Sequence, residues 1–188
     1  MILGERICLR AIEMEDLPLL VKWRNDPQVY DNFYEHEPLS LIMQQRWFEK
    51  LLQREDEKFW IAETLRDPEP IGTIALVHID WRNRKAEMGR VLIFPDGGRG
   101  AGYGKEMCNL LLKYAFEHMN LNRIYLEVFA DNYRAIEFYK QMAFSEEGRF
   151  RQHIFSRSHY RDVLVFSILQ QEYINKAGGD TQPSDDRA

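Results

Sequence analysis

Cysteine is scarce in this sequence, and Cys8 and Cys108 are its only two thiols among 188 residues. A structural zinc site usually takes four cysteine or histidine ligands at close spacing. Neither the two cysteines nor the five histidines show such spacing, so we expect no metal site. The sequence also lacks the glycine-serine-glycine elbow that presents a nucleophilic serine, which argues against a serine hydrolase.

Long apolar runs and a basic excess are missing too. No run approaches the ~20 residues of a membrane span, and Glu5 stands where a secretion signal would place apolar side chains. We therefore expect a cytoplasmic protein with no membrane partner. The formal net charge is −5, whereas nucleic-acid binders usually carry an excess of lysine and arginine. We expect no nucleic-acid partner, and a cationic ligand suits this balance better.

The order of apolar and polar residues predicts a strand, two helices, three strands, a glycine-rich loop, a helix, a strand, a helix and two final strands. Ser40 is expected to cap the second helix, which should run to about Arg54. This order favours an α/β fold with a mixed sheet and helices on both faces, built as one domain over residues 1–175. The end, from Gly178 to Ala188, has no large apolar side chain, so we expect a disordered tail over residues 176–188.

The glycine-rich loop lies between the last of the three central strands and the next helix. It consists of Arg99, Gly100, Ala101, Gly102, Tyr103, Gly104 and Lys105. Glycines let a ligand approach the backbone, and the N–H groups of the first helical turn point outward at the positive end of the helix dipole. Arg99 and Lys105 add positive charge, so the loop is suited to a phosphate or a pyrophosphate.

Three ligands compete for this loop. A P-loop for ATP or GTP needs glycine in place of Arg99 and serine or threonine in place of Glu106, so the pattern fails twice. A dinucleotide fingerprint needs a different glycine spacing and a tandem βαβ array. The third pattern, typical of coenzyme A binding, is arginine followed three and five residues later by glycine, and Arg99, Gly102 and Gly104 match it. A glycine-rich loop that binds no ligand is the remaining alternative at this point.

A second segment carries a further pattern, made of Asn132, Ala135, Tyr139, Phe144 and Gly148. Together with the loop it closely resembles the acetyl-CoA site of the GNAT superfamily of N-acetyltransferases. The resemblance covers residues 7–173 and is closest to the branch of ribosomal-protein N-terminal, spermidine and nucleotide amino-sugar acetyltransferases. The sequence departs from the family at Ala143, where glycine is common, and by one extra residue before Arg99.

This resemblance implies a GNAT fold, whose mostly antiparallel sheet has a splayed strand pair for acetyl-CoA, the cosubstrate. It implies that a backbone N–H of Leu92, Ile93 or Phe94 binds the acetyl carbonyl. It also implies that Tyr139 is the general acid that protonates the leaving thiolate, although a packed core tyrosine is the alternative. Asn132 would contact the pantetheine arm or the catalytic helix, and a plain N-cap fits the sequence equally well.

The acceptor must lose a proton before or during the reaction. A lysine-like amine has a pKa near ~10.4, and only its neutral form attacks a thioester. A base or a water chain must take the proton. Glu87, on the strand leading into the loop, is our candidate, and a surface carboxylate paired with Arg84 or Lys85 is the alternative. Because Cys108 lies inside an apolar helix, we expect direct attack without a covalent acetyl-enzyme.

The first two helices wall the acceptor side in this fold, and the segment between them carries Tyr34, Glu35 and Glu37. Aromatic and acidic side chains suit a cationic small-molecule amine. The ending, with the segments 160–163 and 168–173, resembles polyamine enzymes, whereas the segment 23–25, Trp-Arg-Asn, resembles amino-sugar acetyltransferases. We therefore expect a polyamine slightly ahead of an amino sugar. The alternative functions are a protein N-terminal acetyltransferase, a non-enzymatic acyl-CoA sensor and a nucleotide-binding module. The sequence leaves open whether the protein forms a homo-oligomer.

Overall fold

Eight strands of the described chain form one sheet in the order β1-β2-β3-β4-β5-β6-β8-β7. The structure, a computed structural model, describes residues 1–30, 34, 37–94, 100–156 and 158–179. The strands are β1 (Ile2–Leu3), β2 (Ile7–Ala11), β3 (Lys58–Thr64), β4 (Pro70–Asp80), β5 (Lys85–Ile93), β6 (Arg123–Phe129), β7 (Ser145–Ser156) and β8 (His159–Leu169). All neighbours run antiparallel except β5 and β6, which are parallel. The predicted mixed, mostly antiparallel sheet is therefore confirmed.

Helices connect these strands. They are α1 (Leu17–Arg24), α2 (Pro27–Tyr30), α3 (Leu41–Leu51), α4 (Tyr103–Lys113), α5 (Tyr133–Gln141) and α6 (Gln170–Gly179), with a π-helical turn, Tyr114–His118, after α4. Ser40 caps α3 as predicted, because its hydroxyl accepts a hydrogen bond from Met43 N at 3.3 Å. The helix ends before Arg54, whose N–H donates to the carbonyl only three residues back, a tight-turn bond. Within the described part of the chain, every helix is too short or too polar to traverse a lipid bilayer.

The two faces of the sheet pack into two separate cores. Ile61 and Ala62 are neighbours in β3 but belong to different cores, because successive strand residues point to opposite faces. One core lies under α1 and α3, around Trp23 and Phe48. The other lies under α4 and α5, around Met107. The predicted placement of helices on both faces is thereby confirmed, and each face can contribute a different wall to a site.

The end of the chain differs from the sequence-based expectation. β7 begins five residues before the expected segment 150–155, and α6 was not expected. Almost every side chain of β7 is exposed, so its sequence lacks the alternation of apolar and polar residues that marks a half-buried strand. Residues 176–179 of the expected tail lie in α6. The domain end at residue 175 stays a prediction, and residues 180–188 lie outside the described chain.

Candidate active site

The parallel strands β5 and β6 stay together only briefly. Their pairing is confined to Lys85↔Arg123, Ala86↔Ile124 and Glu87↔Tyr125. Beyond Glu87 the register of β5 against β4 also shifts, and Arg90 adopts a left-handed φ of 53°. Such a bulge bends a strand away from its neighbour. The two strands therefore part, which is the splayed pair that the sequence predicted.

An open cleft of about 740 Å³ lies between the parted strands, the start of α5 and the end of α1. Predicted site residues in its lining are Tyr34, Glu87, Leu92, Ile93, Gly104, Asn132 and Tyr139. Other described residues of the prediction lie outside that lining: Glu37, Phe94, Gly100, Ala101, Gly102, Tyr103 and Lys105. Arg99 and Glu35 lie outside the described residues. The cleft thus collects the predicted acid, the predicted base and part of the predicted acetyl-CoA site.

Phe94 is engaged elsewhere. Its ring stacks on Trp23 with centroids 5.4 Å apart and an angle of 20° between the planes. Its backbone N–H donates to Ile71 O at 2.9 Å. An N–H that already has a carbonyl partner is not available to a ligand. Of the three predicted donors to the acetyl carbonyl, only Leu92 and Ile93 line the cleft.

Tyr139 lies on α5 at the floor of the cleft. Its ring meets those of Phe138 and Phe144 edge to face, with centroids 5.3 and 5.8 Å away, and the residue is 8% exposed. Its hydroxyl has no hydrogen-bond partner in the described part of the chain. Burial raises the pKa of Tyr139 above its ordinary value. The phenol therefore stays protonated at neutral pH, and in the described part of the chain its hydrogen is not donated to another group.

Glu87 is held by a histidine rather than by the neighbours considered from the sequence. His78 Nδ1 lies 2.9 Å from Glu87 Oε2, whereas Arg84 binds the backbone and side chain of Asn120. Burial raises the pKa of Glu87, the His78 hydrogen bond opposes that rise, and the charge of Glu127 adds to it. A carboxylate with a raised pKa is a better proton acceptor than an ordinary one.

Glu127 is a second carboxylate that sequence reasoning missed. It lies two residues beyond Tyr125 on β6 and accepts a hydrogen bond from the Tyr34 hydroxyl at 3.1 Å. Burial, then the charge and hydrogen bond of Glu127, raise the pKa of Tyr34. The available signal was a lone carboxylate inside an otherwise apolar strand, Ile124 to Phe129. The cleft therefore carries two carboxylates and a phenol on one side.

Aromatic contacts hold in place the side of the cleft that carries Tyr34 and Glu127. The rings of Tyr34 and Phe129 meet at 66° with centroids 5.1 Å apart. The Arg161 guanidinium lies 3.4 Å over the Phe129 ring and forms an ion pair with Asp131. Cation–π contact with a nearly buried arginine restrains the ring. Glu37, by contrast, is exposed away from the cleft, and its part in acceptor binding stays a prediction.

Two glycines in the described part of the glycine loop adopt a left-handed backbone. Gly100 and Gly102 have φ values of 93° and 84°, which only glycine adopts readily. Gly102 occupies the N-cap of α4. Gly104 lines the cleft, where a Cβ would stand 3.6 Å from Ile93. The start of α4 therefore faces the cleft with its first-turn N–H groups, which are suited to an anion.

Arg6 and Glu106 join this loop to the chain's first hairpin, a contact that the sequence did not predict. Glu106 accepts hydrogen bonds from the backbone N–H groups of Glu5 at 2.9 Å and Arg6 at 2.8 Å. The Arg6 side chain donates to Glu106 at 2.8 Å and to Ala101 O at 2.7 Å. It also lies 4.9 Å from the centre of the Tyr103 ring. Glu106 stands where a P-loop would have serine or threonine, and here it anchors the glycine loop to the start of β2.

Asn132 caps α5, which is one of the two sequence-based interpretations of its position. Its Oδ1 accepts a hydrogen bond from Ala135 N at 3.2 Å, as an N-cap should. It also lines the cleft, and its contact with the pantetheine arm stays a prediction. A cap of this kind keeps α5, and with it Tyr139, at a fixed angle to β6.

Arginines line the other side of the cleft. Arg24, Arg54 and Arg90 all belong to the lining. Glu57, 4% exposed, pairs with Arg54 at 3.1 Å and with Arg90 at 3.0 Å. In the described ranges we find no cluster of three or more His, Cys, Asp or Glu side chains able to hold a metal ion. The cleft lining therefore combines carboxylates at Glu57, Glu87 and Glu127 with these arginines and Arg134.

Comparisons with known proteins agree with this geometry. A family model described as the acetyltransferase (GNAT) domain matches residues 6–145. The spermidine N(1)-acetyltransferase of Vibrio cholerae is 28% identical over 175 residues, 93% of this chain and 99% of the relative. A crystal structure of a Vibrio cholerae spermidine N-acetyltransferase in complex with CoA and spermine superposes with a TM-score of 0.85, at 29% identity, over 92% of this chain and 100% of that one.

Two further matches bear on assembly and acceptor. A dodecameric structure of the Vibrio cholerae spermidine N-acetyltransferase has a TM-score of 0.80 at 28% identity, and covers 93% of this chain and 99% of that one. The acetyltransferase PseH of Campylobacter jejuni is 28% identical over 134 residues, 71% of this chain and 80% of the relative. All of these relatives are named acetyltransferases, and the Vibrio cholerae proteins are named for spermidine.

Proposed function

Because the chain belongs to the GNAT acetyltransferase family, we propose that its cleft transfers an acetyl group directly from acetyl-CoA to a primary amine of a small molecule. One observation carries the proposal. Glu87, with a raised pKa, and Tyr139, a protonated phenol without a partner, line the same cleft where β5 and β6 part. An amine acylation needs a proton acceptor and a proton donor in one site.

The cosubstrate would enter between the parted strands. Gly100 to Lys105, with Arg99, would hold its pyrophosphate at the start of α4, and Asn132 would contact the pantetheine arm. A backbone N–H at Leu92 or Ile93 would donate to the acetyl carbonyl oxygen, where negative charge develops during attack. The supporting contacts are the left-handed glycines of the loop and the bulge of β5.

Proton transfer follows from the two cleft residues. The amine nitrogen forms the new C–N bond, and Glu87 accepts the proton that the nitrogen releases. His78, at 2.9 Å from the carboxylate, orients Glu87. The C–S bond breaks, and the Tyr139 hydroxyl donates its hydrogen to the departing sulfur. Proton and electron pairs balance without a covalent acetyl-enzyme.

A polyamine is the first candidate acceptor. The related Vibrio cholerae enzyme has been solved with spermine, and the acidic side of the cleft, with Glu87, Glu127 and Tyr34, suits an ammonium group. The dodecameric structure of that enzyme likewise supports self-association of this chain.

An amino sugar, free or nucleotide-linked, is the second candidate. Arg24, Arg54 and Arg90 in the lining can donate hydrogen bonds to phosphate or hydroxyl groups. The resemblance of the segment 23–25, Trp-Arg-Asn, to amino-sugar acetyltransferases is the corresponding observation in the sequence.

A free-thiol assay tests the proposal. Purified protein with acetyl-CoA should release CoA in proportion to acetylated amine when spermidine or an amino-sugar nucleotide is supplied. Peptide N-termini should give no release above background. Binding of acetyl-CoA without turnover of any amine would instead favour an acyl-CoA sensor, and acetylation confined to peptide N-termini would remove the small-molecule acceptor.

A further inference from the structure

A second cavity, of about 130 Å³, lies between α1, α3 and the sheet. We call it the side pocket, and its apolar lining is Leu20, Trp23, Leu39, Trp47, Phe59 and Leu92. Its volume is roughly ten times the 10–15 Å³ that one water requires. Arg24, Arg90 and Leu92 line both the side pocket and the cleft. The side pocket therefore adjoins the cleft and shares a wall with it.

Gln44 contributes a neutral polar side chain to this lining. The residue is 6% exposed, and within the described residues its side-chain amide has no hydrogen-bond partner. The hydroxyl of Thr73, by contrast, donates to Arg90 O at 2.7 Å. The amide of Gln44 is accessible from the cavity, so it can exchange hydrogen bonds with water or with a ligand there. A ligand that enters the side pocket can therefore hydrogen-bond to Gln44.

The charged residues in the lining are both arginines. Arg90 lies with its guanidinium carbon 5.5 Å from the centre of the Trp47 ring, and Arg24 is the other. Glu57, which pairs with Arg90, is outside the side-pocket lining. A second ammonium group would therefore meet cations and no carboxylate in the side pocket, and burying it there is costly. An uncharged group would meet apolar rings and one amide.

We infer that the side pocket binds an uncharged arm of the acceptor amine, and that this arm carries an oxygen or nitrogen for Gln44. The inference rests on the proposed acetyl transfer, and it specifies the acceptor. An amino sugar offers such an arm, with hydroxyl groups on a carbon frame. A polyamine offers only arms that end in charged nitrogen. The side pocket therefore places amino-sugar-like acceptors ahead of polyamines, the reverse of the order that the acidic side of the cleft favours.

Three amines with the same five-carbon chain distinguish an uncharged acceptor arm from a charged one. 5-Aminopentan-1-ol ends in a hydroxyl, pentylamine in a methyl group, and 1,5-diaminopentane in an ammonium. We expect kcat/KM to fall in that order. Gln44→Leu should lower kcat/KM for 5-aminopentan-1-ol about three- to tenfold, the effect of one neutral hydrogen bond, and leave pentylamine unchanged. Gln45→Leu, at an exposed position next to it on α3, is the matched control.

A second variant and a binding measurement do not depend on Gln44. Leu39 is half-buried at the edge of the side pocket, so Leu39→Phe should narrow it without unfolding the protein. The variant should raise KM for the two uncharged amines and leave KM for acetyl-CoA unchanged. Trp23 and Trp47 line the side pocket, so 1,5-pentanediol, which cannot be N-acetylated, should change their fluorescence in the parent and less in Leu39→Phe.

The outcomes distinguish the inference from the proposed function. Preferred use of 1,5-diaminopentane, with no response to Gln44→Leu or Leu39→Phe, would overturn the inference while acetyl transfer stands. Binding of acetyl-CoA without acetylation of any amine would overturn the proposed function. In that case the fluorescence titration with 1,5-pentanediol still decides whether the side pocket takes an uncharged arm.

Discussion

Tyr139 combines a packed ring with an unused hydroxyl, and these two properties can be separated by one substitution. Tyr139→Phe keeps the edge contacts to Phe138 and Phe144 and removes only the proton donor. We expect kcat to fall roughly 10²-fold, with acetyl-CoA affinity and Tm nearly unchanged. Steady-state kinetics, calorimetry of acetyl-CoA binding and thermal melts measure the three quantities.

The matched control is Tyr173→Phe, which removes a hydroxyl bonded to Glu117 at 3.2 Å outside the cleft lining. It should leave kcat at the parent value. Full activity of Tyr139→Phe, measured where chemistry limits turnover, would leave Tyr139 as a core residue only.

Glu87 should set the acid limb of the pH profile. Burial and the charge of Glu127 raise its pKa, so kcat/KM for the amine should rise with pH through an inflection above the ordinary glutamate value of about 4.3. Glu87→Gln should lower kcat/KM roughly 10²-fold and abolish that limb. Glu127→Gln removes a negative neighbour, which should lower the pKa of Glu87 and move the limb to more acidic pH.

The direction in which Glu127→Gln moves the acid limb of the pH profile serves as the control. A limb that moves to higher pH in Glu127→Gln, or one that persists in Glu87→Gln, would assign the proton acceptor to another group or to a water chain.

At the scale of elements, the glycine loop depends on a hairpin that is remote in sequence. Arg6→Ala removes the donors to Ala101 O and Glu106 and the contact with the Tyr103 ring. We expect KM for acetyl-CoA to rise about three- to tenfold, with kcat and the acceptor KM unchanged, because these partly exposed bonds orient the loop and touch no acceptor. Initial-rate kinetics with each substrate varied in turn measures both constants.

Arg6→Ala is also a cleaner probe of the loop than Gly102→Glu. Any side chain at Gly102 would be strained at its φ of 84°, so that variant mixes backbone strain with charge. Arg66→Ala, at an exposed position outside these contacts, is the control. Equal increases in both KM values after Arg6→Ala would indicate a general loss of structure instead of a misplaced loop.

At the scale of the whole molecule, local patterns could be predicted and distant partnerships could not. The glycine loop, the Ser40 cap and the helix bearing Tyr139 depend on neighbouring residues, so the sequence indicates them directly. The His78–Glu87, Tyr34–Glu127 and Arg6–Glu106 contacts join residues 9, 93 and 100 positions apart. They depend on a bulge, on strands that part, and on which hairpin meets α4. No short sequence pattern encodes these features of the fold.

Exposure explains why the start of β7 and the helix α6 were missed. β7 presents exposed side chains almost throughout, and the described side chains of α6 are mostly exposed too. A sequence pattern records burial, so an element that buries little leaves little trace.

The bulge in β5 also bears on how the molecule unfolds. Met88 and Leu92 lie four residues apart on one strand, which normally places both on the same face, yet Met88 belongs to one core and Leu92 to the other. One strand thereby ties the two halves of the molecule together. Trp23 reports on the first half and Trp60 on the second. In one variant that keeps only Trp23 and a second that keeps only Trp60, with the other three of the four tryptophans replaced by phenylalanine, the urea transitions should coincide. Met88→Ala, at a cost of about 2–5 kcal/mol, should lower both midpoints together, whereas separate transitions would show two independent folding units.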